Sequence, residues 1–166
     1  TASQPLGGTG SYTYQWQSSS NNSSWVNIIS GTQASYSDTP VLTSNVYFRR
    51  NVTSGPCSQQ GVSVFIQVVP GITNNTIGSD QTICSSNVPN QFNGSLPAGG
   101  SGVYQYQWQS SLNNSAWSDI SGANAQNYTS GALHTTMYFR RLVSSGACSQ
   151  VPGNSVQVLV ESAIGN

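Results

Sequence analysis

The chain has 166 residues, of which only 5% are charged: four arginines, four acids and no lysine, for a formal net charge of zero. An ordinary soluble protein carries roughly 25% charged residues, so here Ser, Thr, Asn, Gln and Gly must keep the surface wet. A chain so nearly neutral has little long-range field to draw it to DNA, RNA or anionic lipid, and no stretch approaches the ~18 apolar residues of a membrane span.

In chain order, the first signal is Pro5-Leu6-Gly7-Gly8-Thr9-Gly10, a loop rich in glycine. Tyr12, Tyr14 and Trp16 then alternate with Thr13, Gln15 and Gln17, the period of a strand with an aromatic face and a polar one. Asn21-Asn22 suits a tight hairpin turn because Asn tolerates positive φ, and Trp25-Val26-Asn27-Ile28 follows as its second arm. Further strands are expected at 34–37, 46–53 and 62–69. Ninety-two residues on, the pattern returns. From Pro5 to Ile28, 16 of 24 residues match their partners between Pro97 and Ile120, including Tyr106, Trp108, Asn113, Asn114 and Trp117. Tyr47-Phe48-Arg49-Arg50 recurs as Tyr138-Phe139-Arg140-Arg141, and Cys57-Ser58-Gln59 as Cys148-Ser149-Gln150. Strands are expected again at 126–129, 137–144 and 155–160.

A period this long has the size of a small domain rather than of a solenoid unit. Short alternating strands with regular turn signals predict an all-β chain of antiparallel β-sandwiches, with the inner face built on Tyr14, Trp16, Phe48, Tyr106, Trp108 and Phe139. The boundary is expected near Pro70-Gly71, with the two domains end to end. About 20 residues ahead of Pro97 have no counterpart before Pro5. The chain is therefore expected to be an internal excerpt: residues 1–70 a repeat lacking its first strand, residues 71–166 a complete one.

The string Asn75-Thr76-Ile77-Gly78-Ser79-Asp80-Gln81-Thr82-Ile83-Cys84, then Tyr-Gln-Trp-Gln-Ser-Ser, Trp-x-x-Ile, Tyr-Phe-Arg-Arg and Ser145-Gly146-Ala147-Cys148, resembles the tandem immunoglobulin-like (PKD/Ig-like) repeats of giant Bacteroidetes cell-surface adhesins, the gliding-motility adhesins among them. The resemblance covers essentially the whole chain. It implies two immunoglobulin-like sandwiches, export by type IX secretion and display on the cell surface.

Repeat register also bears on the three cysteines. Cys57 and Cys148 are equivalent, whereas Cys84 falls in the stretch that the first repeat lacks. The economical pairing is a Cys84–Cys148 disulfide, with Cys57 unpaired by truncation. Metal ligation and a reactive thiol compete with it, but there is no Cys-x-x-Cys and the one histidine, His134, is distant in sequence. Such a bridge would also place the chain in an oxidising compartment.

Adjacent arginines on a strand must face opposite ways. The inner one is expected to bond buried carbonyls, since a buried charge demands partners; a fork for a carboxylate or sulfate is the other reading. Trp25 and Trp117 pack on the sheet or, if exposed, stack on sugar. The Gly-rich loops precede strands rather than helices, unlike phosphate cradles. No catalytic constellation, metal site or cofactor is expected.

The expected function is that of a non-catalytic repeat segment of a large secreted adhesin, a stalk for attachment and gliding. Its partners would be neighbouring repeats, surface polysaccharide or the outer-membrane export and motility machinery, with no nucleic acid and no membrane span. A carbohydrate-binding module, or a spacer of a secreted hydrolase, is the alternative.

Overall fold

A computed structural model describes residues 3–37 and 41–162; the outer limits 1 and 166 of the expected domains lie outside the described residues. Among those residues the chain is all-β, with ten strands and no helix. It divides into two compact units, Thr1–Val68 and Val69–Asn166.

In unit 1, β1 (Thr13–Ser19) pairs antiparallel with β3 (Val46–Ser54). A short β2 (Val26–Asn27) lies on the other side of β1. Two further strands, β4 (Cys57–Gln60) and β5 (Val64–Ile66), share β3 as their partner. The β1–β2 turn forms where the Asn pair predicts it. Asn22 adopts φ 58°, and Asn21 Oδ1 accepts the Ser23 and Ser24 amides at 2.9 and 2.8 Å. Asn113 and Asn114 repeat this arrangement in unit 2.

Unit 2 has the sheet order β6-β10-β9-β7-β8. The strands are β6 (Gln81–Cys84), β7 (Gln105–Ser111), β8 (Ser118–Asp119), β9 (Met137–Ser145) and β10 (Cys148–Glu161). All pairs are antiparallel except β6 with β10. Opposite this sheet the backbone makes only isolated bridges, Phe92↔Tyr128, Ile77↔Gly94, Asn87↔Leu133 and Thr73↔Ala98. The second layer is therefore irregular, yet the whole is consistent with a β-sandwich. The strands expected at 34–37 and 126–129 are bends and a single bridge, at Tyr128. Conversely β10 is longer than 155–160, because a bulge between Pro152 and Ser155 carries the pairing through a proline that cannot donate to the ladder.

Between these layers lies the core of unit 2. Ile77, Phe92, Trp108, Phe139, Val156 and Val158 are buried together, with the Phe92 and Phe139 rings 4.8 Å apart. The inner-face residues separate by unit. Trp108 and Phe139 are buried, while Tyr106 is half-buried under Arg141. Tyr14, Trp16 and Phe48 in unit 1 are only half-buried. Val64 and Ile66 of unit 1 are 63% and 40% exposed, against 2% and 0% for their counterparts Val156 and Val158. Unit 1 has no described counterpart of Ile77, Phe92 or β6 to cover them.

The expected Cys84–Cys148 disulfide is not formed; Cys57, Cys84 and Cys148 are all free. The reason is the direction of β6. Cys84 pairs with Glu161 at the far end of β10, while Cys148 opens that strand. Twelve residues of β10 lie between Cys148 and Glu161, a span on the order of 40 Å at about 3.3 Å per residue, whereas a disulfide needs Cα atoms within roughly 7 Å. A non-reduced digest of the native chain should contain no Cys84–Cys148 peptide; recovering one in quantity would mean that β6 does not pair in parallel with β10.

Candidate functional site

The doubled arginines organise the two faces of each sheet. In unit 1, Arg50 lies opposite Trp16 on the inner face and Arg49 opposite Gln17 on the outer one. In unit 2, Arg141 lies opposite Trp108 and Arg140 opposite Gln109.

The inner arginine of unit 2 is fully buried and has an uncharged cradle. Arg141 Nη1 donates to Gln126 O at 2.8 Å and Nη2 to Ser95 O at 2.9 Å. Its Nε and Nη2 donate to Asn75 Oδ1 at 3.1 and 3.0 Å. Asn75 Nδ2 in turn donates to Val151 O and to Arg141 O. Gly94 is required here, since a Cβ on it would lie 1.9 Å from Arg141 Nη1. Burial pushes the guanidinium below its ordinary arginine range, and Tyr106 opposes the shift; the hydrogen bonds compensate a charge taken from water. The fork is thus filled by the protein's own acceptors, which argues against a carboxylate or sulfate ligand at Arg141.

The outer face carries the more accessible cluster. Arg49 Nε donates to Gln17 Oε1 at 2.7 Å, and its guanidinium lies 4.1 Å from the Trp25 ring centroid. Gln17 Nε2 donates to Asn27 Oδ1 at 2.7 Å. In unit 2 Arg140 Nε donates to Gln109 Oε1 at 2.7 Å and lies 4.3 Å from Trp117. Gln109 Nε2 donates to Asp119 Oδ1 at 2.7 Å. Trp25 and Trp117 are therefore half-buried partners in cation–π stacks, each with a guanidinium over the ring that a sugar would need. The two clusters share geometry but not charge, because Asn27 stands where Asp119 does.

The Gly-rich loops are also engaged internally. Thr9 N–H donates to Ser54 Oγ at 2.9 Å and Ser101 N–H to Ser145 Oγ at 2.9 Å. Tyr12 and Tyr104 hydroxyls close the same loops on Gly7 O and Gly99 O. These backbone amides hold the end of the neighbouring strand rather than a phosphate. His134 bonds Ser86 Oγ through Nδ1 at 3.2 Å, and no group of three or more His, Cys, Asp or Glu side chains able to hold a metal exists among the described residues. Burial raises the Tyr128 hydroxyl above the ordinary tyrosine range, as befits a core ring stacked on Phe92.

Two kinds of residue escaped the sequence reading. Asn75 was hidden because unit 1 offers no equivalent to compare. Gln17 and Gln109 carried a usable signal, identical residues opposite the outer arginines, that alternation alone does not interpret.

A family model described as a domain of unknown function, DUF8696, matches residues 1–70 and 73–162. The chain belongs to the DUF8696 family. The two matched stretches part where the units do, between Val68 and Thr73, and both contain the doubled arginines, the outer Trp–Arg–Gln cluster and the clamped glycine loop of this DUF8696 chain. A search of curated proteins returns no match.

Proposed function

We propose that this DUF8696 chain is a non-catalytic pair of immunoglobulin-like repeats from a large exported surface protein, serving as part of an adhesive stalk. The observation that carries the reading is what the two units keep and what they change. Shared positions build the fold: Trp16 and Trp108, the arginine pairs, the Asn turns and the serine clamps. Exposed positions differ: Asn27 against Asp119, Ser20 against Leu112, Val62 against Asn154. Repetition of a scaffold with a drifting surface suits spacing and presentation better than one shared ligand geometry, and weak contacts gain strength when offered many times. The likeness to Bacteroidetes surface repeats supports export by type IX secretion, a place outside the cell and a role in gliding attachment; with all three thiols free, the cysteines do not. Neighbouring repeats, surface polysaccharide and the export and motility machinery are the partners this reading names.

Antibodies raised against the chain should label intact cells of the source organism and lose that label after external protease. Labelling seen only in permeabilised cells would overturn the proposal. A carbohydrate module is the second reading: Trp25 and Trp117 are half-buried and have polar neighbours, Gln17 and Asn27 in one unit and Gln109 and Asp119 in the other. A sugar would, however, have to displace the arginine from each ring. On a glycan array the chain is expected to bind nothing below millimolar. Tighter binding abolished by Trp25→Ala and Trp117→Ala would decide for the carbohydrate module instead.

A further inference from the structure

The outer clusters repeat in geometry and differ in charge, and the difference bears on the arginine that each presents. Arg49 is held from three directions. Its Nε donates to Gln17 Oε1 at 2.7 Å, its Nη1 to Gln60 Oε1 at 3.1 Å, and the Trp25 ring centroid lies 4.1 Å from the guanidinium carbon. Nη2 has no partner among the described residues, and Nη1 keeps a second hydrogen. In unit 2 Arg140 is held by Gln109 and Trp117 alone, and both of its Nη groups lack a partner among the described residues.

What separates the two is the residue at the end of each relay. Gln17 Nε2 donates to Asn27 Oδ1 and Gln109 Nε2 to Asp119 Oδ1, both at 2.7 Å. Asp119 thus sets a negative charge one glutamine away from Arg140, and that cluster is neutral. Asn27 leaves the charge of Arg49 uncompensated, and its exposed Nδ2 is a further donor with no partner among the described residues. The described residues of unit 1 contain no acid, since Asp38 lies outside them. A planar guanidinium with free N–H donors, held in place before any ligand arrives, matches a carboxylate. A neutral sugar gains little here, because the guanidinium covers the ring on which it would stack.

We propose that the Arg49–Asn27 cluster on the outer face of unit 1 is a weak binding site for the carboxylate of a uronate-containing polysaccharide, and that Asp119 closes the equivalent site in unit 2. This gives the surface polysaccharide of the stalk reading its chemistry, and it rests on that reading for the source of the ligand. The carboxylate takes the free Nη donors of Arg49, and a neighbouring sugar hydroxyl accepts from Asn27 Nδ2. A peptide acid has less to gain. β1 is flanked by β2 and β3, and β3 by β1, β4 and β5, so no open ladder of N–H and C=O runs beside Arg49 for a peptide backbone to join. One exposed ion pair gives an affinity on the order of millimolar, which repetition along a polymer raises.

The test titrates the full chain with oligogalacturonate at low salt and reads the arginine Nε–H and tryptophan indole signals by NMR. The Arg49 and Trp25 signals should shift, half-saturating on the order of millimolar, while those of Arg140 and Trp117 stay in place. The methyl ester of the same oligomer, which keeps the hydroxyls and loses the charge, should move neither pair. Asn27→Asp keeps the hydrogen-bond geometry, as Asp119 does in unit 2, and should weaken binding about fivefold or more through like-charge repulsion. Asp119→Asn should open the second site, so that Arg140 and Trp117 respond as well. Equal responses of the two clusters in the native chain, no response at Arg49, binding of the ester, or an Asn27→Asp chain that binds as well as the native one would overturn the proposal. So would equally tight binding of a glutamate oligomer of the same charge, since the partner would then be an acidic peptide. Every readout is on the chain alone, so a failed site leaves the cell-labelling test of the stalk standing.

Discussion

Replacing Arg141 by methionine should destabilise unit 2 by roughly 3 kcal/mol or more. The substitution keeps much of the apolar stem but strands three acceptors, Asn75 Oδ1, Gln126 O and Ser95 O, in a place with no described alternative donor. Each buried unsatisfied acceptor costs about 1–3 kcal/mol, and relief of the buried charge returns part of it. Arg50→Met should cost about 1 kcal/mol or less, because its two carbonyl partners lie at exposed sites where water can replace the guanidinium. Urea unfolding followed through the indole NMR signals of Trp16 and Trp108 reads the two units separately. Equal losses in both would show that burial does not set the value of this arginine.

Trp108→Ala should be comparably severe, at roughly 3–5 kcal/mol, the usual penalty for emptying a buried aromatic site. Trp108 is fully buried against Phe92 and Tyr128, and its Nε1 donates to Ala125 O at 2.9 Å. Trp16 makes the corresponding bond to Gln33 O but is half-buried, so Trp16→Ala should cost about half as much. A loss below about 1 kcal/mol at Trp108, in urea melts followed by circular dichroism, would place the inner face on the wrong side of β7.

The contrast between two identical residues also shows where sequence reading reaches and where it stops. Alternation along Tyr12–Trp16 and Tyr47–Arg50 states which side chains share a face, because the pleat has period two. The positive φ of Asn22 and Asn114 follows from side-chain chemistry that acts over three residues. Burial is different in kind: Trp16 and Trp108 have near-identical neighbours in sequence, and their exposures differ because Ile77 and Phe92 cover only the second. The cysteine pairing failed for a related reason. Repeat register identifies equivalent positions, but not the pole of the sheet at which each lies, and no periodicity announces that β6 runs parallel to β10. At the site, the split of each arginine pair between faces was legible from the pleat. The Asn75 cradle was not, because its donors and acceptors come from segments 66 residues apart and most of them are backbone carbonyls. The outer clusters fall between these cases, since the residues repeat visibly while the stacking of Arg49 on Trp25 depends on how the β1–β2 hairpin folds back.

The parallel pairing of β6 with β10 has a consequence for any pulling force transmitted through unit 2. Tension applied at the two ends of the unit draws β6 back toward Val69 and β10 forward past Glu161. Because the two strands run the same way, these pulls are opposed along the strand axes, and the four pairs from Gln81↔Val158 to Cys84↔Glu161 are loaded in shear together. An antiparallel closure at the same edge would instead peel open one pair at a time. The geometry at this edge is that of a clamp, which resists until its register slips as a whole.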